Sequence, residues 1–148
     1  MDLVNLQTIL EETFAANFVV YYRAHQAHVN VRGRNFYNDH KLLKGIYSKL
    51  QDHIDDLGEK LRTVQSYMPV NLATVIETTP ISDDAIDGSS DAILHGVLAG
   101  IEVLIEMYHE LDRAAQAVEY VDISNMAQDM IGELAKMKWQ LQATLDLE

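Results

Sequence analysis

Cysteine is absent from the 148-residue chain, which excludes disulfides, zinc–thiolate sites, iron–sulfur clusters and a cysteine nucleophile. Proline is nearly absent. Pro69 and Pro80 are the only two, and both fall in one polar stretch, leaving long tracts on either side in which a helix meets no breaker. No run of 18 apolar residues occurs, so no segment reads as a membrane span. The opening residues carry neither the basic segment nor the apolar run of a signal peptide, so a cytoplasmic protein is the expectation. Positive charge is also scarce. Eleven Lys and Arg stand against 23 Asp and Glu, the first twenty-two positions hold no basic residue, and the formal net charge is −12. Binding to a phosphate backbone depends on clustered Lys and Arg, so the charge disfavours DNA as a partner.

Apolar residues are plentiful, at 48% of the chain. That is enough for one domain over residues 1–148 with a substantial core. Their spacing is helical. Leu3, Leu6, Leu10, Phe14, Phe18 and Tyr21 mark a buried stripe on a first helix, from about Leu3 to Val29. Gly33 suits the turn that follows. A second helix runs from about Asn35 to Tyr67, with Phe36, Leu43, Tyr47, Leu50, Ile54, Leu57, Leu61 and Val64 as its stripe and His40 in the gap. Pro69 closes it. Residues 68–88 form an irregular crossover, with a short helix over Asn71 to Thr78. A third long helix starts near Ser90 or Asp91 and reaches about Tyr120. A fourth carries Ile123, Met126, Met130, Leu134, Met137 and Leu141. Short links make helices 1–2 and 3–4 antiparallel neighbours, and one long crossover joins the pairs. The expected fold is an all-α, ferritin-like four-helix bundle.

Four residues of metal-ligand type stand out: His28, His40, Asp55 and Glu59. Asp55 follows His40 by fifteen positions, about 22 Å along a helix axis. Metal–ligand bonds are only about 2.0–2.5 Å long. One chain therefore cannot bring all four to one ion. A twofold mate with an antiparallel helix can, because it sets the carboxylates of one subunit beside the imidazoles of the other. At about 100° per residue, Asp55 lies near 60° and Glu59 near 100° from His40, flanking the apolar stripe.

The segment Ala27-His28-Val29-Asn30-Val31-Arg32-Gly33-Arg34-Asn35-Phe36-Tyr37-Asn38-Asp39-His40 resembles the Dps family, the mini-ferritins, whose two histidines also stand twelve positions apart around a glycine turn. Asp55-Asp56-Leu57-Gly58-Glu59 matches the family's Asp-x-x-x-Glu pair, and Lys138-Trp139-Gln140-Leu141-Gln142-Ala143 is similar to its last helix. The resemblance implies dodecameric cages that oxidise Fe(II) at twofold interfaces, preferentially with hydrogen peroxide and otherwise with O2. It implies storage of Fe(III) as mineral inside. It assigns the two histidines to one subunit and the acid pair to its mate. Zinc or manganese could substitute at the same donors, and affinity order alone would favour zinc or copper over iron.

The chain departs from the pattern at three places. Lys44, one turn after His40, stands where the family usually carries an acid for a second iron, which points to one ion per interface and slower oxidation; Asp52 and Asp56 are nearby acids that would compensate. Val29 replaces the tryptophan that commonly follows the first histidine. The basic tail that lets some members bind DNA is missing. An alternative reading is therefore a shell with an impaired or mononuclear site, acting as a structural, metal-binding or DNA-protecting protein. Glu106-Met107-Tyr108-His109 is a lone Glu-x-x-His element, the mark of a di-iron site inside a bundle. The remaining expectations are plainer. His25 and His53 are neighbours of the site, as hydrogen-bond partners of its ligands or as surface histidines. Asp122 is a helix cap or, with Asp129, a pore acid. The methionine stripe is core, and Trp139 is a buried anchor.

Overall fold

A computed structural model of the chain describes residues 2–147, with Asp2 described by its backbone only. Five helices follow in order: α1 (Asp2–Asn30), α2 (Phe36–Thr63), α3 (Leu72–Thr78), α4 (Ser90–Ala117) and α5 (Val121–Thr144). The four long ones form the bundle. α1 packs on α2 and on α4, α4 packs on α5, and α2 meets α5 more lightly. The α1–α2 turn and the start of α4 lie at one end, where Asn30, Arg32 and Gly33 face Ile86 and Ser89. At the other end Lys60 of α2 reaches Asp122 of α5 at 2.8 Å. α4 thus runs parallel to α2, the ferritin-like arrangement expected of a long crossover.

The helix ends explain where the sequence reading ran long. α2 stops at Thr63 because Gln65 adopts φ +64, so that Ser66 N–H bonds Leu61 C=O at 2.9 Å and Gln65 N–H bonds Arg62 C=O at 3.1 Å. α4 ends at Ala117 in the same way, with Glu119 at φ +61 and Tyr120 N–H on Ala115 C=O. These caps occupy the left-handed region usually given to glycine, and neither segment carries one. Gly33 does match its role, at φ +124 in the turn before α2. Two helices have side-chain N-caps: Asn71, where the sequence reading began its short helix, accepts from Thr74 N–H one residue ahead of α3, and Ser89 accepts from Ala92 N–H.

The core holds Leu6, Leu10, Phe14, Leu43, Leu50, Leu57, Leu61, Ile101, Leu104, Leu111, Leu134 and Leu141, all essentially inaccessible. Each such burial is worth about 1.5–3 kcal/mol. On α2 the buried seam is Asp39, Leu43, Ile46, Leu50, His53, Leu57 and Leu61. It is turned from the predicted stripe, leaving Tyr47 and Ile54 half-buried and Phe36 exposed. Leu3 is exposed as well. Trp139 is 62% exposed, not a buried anchor, because it sits about 200° around α5 from the buried Met137. Met130 and Met137 are core, and Met126 is half-buried. Among the buried polar groups, Asn17 ties three helices together. Its Nδ2 donates to Leu50 C=O at 2.9 Å, and its Oδ1 accepts from Tyr108 O–H at 3.0 Å. Burial pushes the Tyr108 phenol well above its ordinary range, so it remains a donor.

Candidate metal centre

His28 lies two residues before the end of α1, and His40 lies in the first turns of α2. Folding α2 back along α1 brings the two rings face to face, with centroids 3.7 Å apart and planes 15° apart. Each ring then bonds the other's backbone: His28 Nδ1 lies 2.7 Å from His40 C=O, and His40 Nδ1 lies 2.7 Å from His28 C=O. A carbonyl oxygen only accepts, so both Nδ1 atoms must carry the proton and donate. In the neutral form of a ring so bonded the lone pair is left on Nε2, where a metal would bind it. His28 is 8% exposed. Burial is the largest cause lowering its pKa; the His40 carbonyl opposes this, while the charges of His40, His25 and Lys44 lower it further. The fold therefore holds His28 neutral, as ligation requires.

Aromatic rings wall the pair. Phe36 stacks on His40 with centroids 4.9 Å apart, and the Tyr47 ring is 5.0 Å from His28. His25 stacks flat on Tyr47 at 3.9 Å, and its Nδ1 hydrogen-bonds Tyr21 O–H at 2.9 Å. The bonds that orient the two histidines thus come from each other's backbone and not from His25. Val29 is exposed, and Tyr47 is the large aromatic beside His28.

The carboxylates form a separate group. Asp55, Asp56 and Glu59 are all exposed, and one oxygen from each lies within 4.8 Å of the others. Among the described residues no histidine joins such a group of three. The structure thus gathers the imidazoles at one place and the acids at another, as the axial rise along α2 requires. Asp55 and Glu59 border a shallow cleft with Phe18, Tyr22, Ile54 and Met68. Tyr22 and Met68 expose 59% and 48% of their surface there, apolar area with no partner inside the chain. Lys44 is exposed one turn beyond His40.

The other candidates sort clearly. Tyr108 takes the inward position on α4, which leaves Glu106 exposed and His109 half-buried, so the Glu-x-x-His element does not point both its ligands into the bundle. The N-cap of α5 is Tyr120, and Asp122 is in the first turn. There it accepts from Lys60, the main reason its carboxyl is held below the usual range. Asp129 is exposed on the same face of α5. His53 is buried against α5, with Glu133 at 3.5 Å, and is neither a surface residue nor a partner of the proposed ligands. Helical phase could have shown this, since position 53 falls between Leu50 and Leu57 in the buried seam. Asp56 joins the acids through Glu59, which lies three positions beyond it and four beyond Asp55, the two neighbouring spacings on a helix surface.

The chain compares closely with known proteins. The model of the ferritin-like domain family matches residues 7–148. The DNA protection during starvation protein of Helicobacter pylori is 28% identical over 138 residues, covering 93% of this chain and 96% of that protein. The protein of the same name from Brevibacillus brevis is 28% identical over 149 residues, covering 98% of each. The crystal structure of the Vibrio cholerae Dps protein, described as a member of a broad superfamily of ferritin-like diiron-carboxylate proteins, superposes with a TM-score of 0.91 at 23% identity, covering 97% of this chain and 91% of that one. With the ferritin-like family model matching residues 7–148 and relatives of the DNA-protection-during-starvation type covering 93% and 98% of it, the chain belongs to the Dps family of the ferritin-like superfamily.

Proposed function

We propose that this protein takes up Fe(II), oxidises it at sites shared between two subunits, and stores the ferric product within a closed shell. The observation that carries the reading is the mutual clasp of His28 and His40, which points both protons at carbonyl oxygens and leaves both Nε2 lone pairs for a cation. In this reading His28 and His40 of one subunit and Asp55 and Glu59 of its mate hold the substrate ion, with Asp56 adding negative charge beside them. Imidazole and carboxylate suit ferrous iron, and they also accept zinc or manganese. The exposed apolar cleft beside the acids is where a mate would pack. The dodecameric cage, the use of hydrogen peroxide or O2 and a cytoplasmic setting all belong to this reading.

The chain's own residues do specific work in it. The carbonyls of His28 and His40 lock each imidazole in one tautomer, so binding an ion costs little reorientation. The wall of Phe36, Tyr47 and His25 keeps bulk water from one side of the rings. Lys44 adds positive charge near His28 and disfavours a second cation, which suits one ion per site. Bound iron would supply the electrons that reduce the oxidant. Protection of DNA, the role named in the relatives, would come here from removing iron and oxidant, since a formal charge of −12 opposes contact with a phosphate backbone.

The test is an anaerobic Fe(II) titration of the assembled protein, followed by hydrogen peroxide and the absorbance of the ferric product. Oxidation should scale with bound Fe(II) and be lost in His28→Ala/His40→Ala. A variant shell that oxidises iron at the parent rate would overturn the reading.

A further inference from the structure

The loosest seam of the bundle is the one between α2 and α5, and it is where the unexplained polar groups collect. A groove there is bordered by His53, Asp56 and Lys60 of α2 and by Asp122, Asp129 and Glu133 of α5. His53 is 97% buried, at 3% relative exposure, yet neither ring nitrogen has a hydrogen-bond partner. Native structures rarely leave a buried imidazole in this condition, so the ring calls for a ligand. Its Nε2 lies 3.5 Å from Glu133 Oε1. That is beyond the roughly 2.7–3.2 Å of an N–H···O bond. It does fit two donors on one ion: ligands at about 2.1 Å in tetrahedral directions lie about 3.4 Å apart.

The surroundings agree. Four carboxylates, Asp56, Asp122, Asp129 and Glu133, face the groove, and one of them, Asp122, is matched by Lys60 at 2.8 Å. Lys49 approaches the other Glu133 oxygen at 3.3 Å but is largely exposed, so its hold is weak. The site is distinct from the interface ligands Asp55 and Glu59, because His53 and Asp55 project about 200° apart around α2, while Asp56 borders both.

We propose that this groove is a second divalent-cation site, with His53 Nε2 and Glu133 Oε1 as direct ligands and Asp56 and Asp129 holding water on the ion. One nitrogen and one carboxylate at tetrahedral spacing select a cation of the zinc class over magnesium or calcium, which call for six or more oxygens. The ion enters from the α5 side, where the Glu133 side chain is 37% exposed.

Zinc itself is the probe. Crystals of the assembled protein soaked in micromolar zinc and measured at the zinc edge should show an anomalous peak between His53 and Glu133. Zinc retained after dialysis should fall by about one ion per subunit in Glu133→Gln and in His53→Gln, with affinity at that site weakened tenfold or more. Glu133→Gln is near-isosteric and half-exposed, so it tests binding even if His53→Gln unfolds the bundle. An anomalous map without that peak overturns the proposal, as does a Glu133→Gln variant that retains as much zinc as the parent. A peak confined to His28 and His40 overturns it too, and leaves the interface reading standing.

Discussion

The two halves of the proposed interface centre are built in different ways. His28 and His40 are enclosed, stacked and hydrogen-bonded to each other's backbone, so their geometry is complete within one chain. Asp55, Asp56 and Glu59 are exposed and crowded together, three like charges that a lone helix gains nothing by assembling. The imidazole half is the product of folding. The acid half becomes favourable when a cation and a partner's imidazoles arrive. A site divided in this way couples metal binding to assembly, because neither half offers a full ligand set alone.

The sharpest way to break that comparison is to disable each half in different subunits. His28→Ala/His40→Ala and Asp55→Asn/Glu59→Gln shells should each lose iron oxidation by at least about 100-fold, exceeding the usual loss for an outer-shell change. Co-assembled in equal amounts, they should recover about one quarter of the parent rate, since half the dimers are mixed and each mixed dimer holds one intact site of two. No recovery would mean that the halves do not meet across a dimer. Lys44→Asp sharpens the comparison from the cation side. It should raise bound Fe(II) in an anaerobic titration toward about two ions per site from about one, as in two-metal centres. Unchanged stoichiometry would show that Lys44 does not block a second ion.

A change in the core should separate folding from metal chemistry. Tyr108→Phe removes the donor to buried Asn17 and should cost about 1–3 kcal/mol in urea unfolding, with iron oxidation per folded shell unchanged. The smallest effect is in pH. His28 and His53 both have folded pKa values lowered chiefly by burial. Above about pH 6.5 folded and unfolded chains alike hold these rings neutral. Below it the unfolded chain takes up protons that the folded one refuses, so stability falls as pH drops toward the folded values. Thermal unfolding of the metal-free protein between pH 8 and 5 should show this decline, and His53→Leu should flatten it. A midpoint that rises on acidification would contradict the burial of both rings.

Much of this was legible along the chain. The helical periods place four long helices and the short α3, whose cap Asn71 the sequence reading counted as its first residue. Other features were not. Gln65 and Glu119 end their helices in left-handed conformations that no glycine announces, so α2 and α4 read too long. Trp139 and Phe36 read as buried because a large apolar side chain at helical spacing usually is, but here both sit on faces the monomer leaves open. His53 read as polar and therefore peripheral, although its helix phase puts it in the seam with Leu50 and Leu57.

From the order of residues alone came the helices, the donor types and the impossibility of one chain closing the His28, His40, Asp55 and Glu59 set. Those depend on the fixed rise and turn of an α-helix, which are local. Only the folded structure decided which imidazole nitrogen is free, that Asp56 joins the acids, and that His53 is buried beside Glu133 without a hydrogen bond. Each of these depends on how side chains are oriented and enclosed once the helices pack, and packing is set by contacts between residues far apart in the chain.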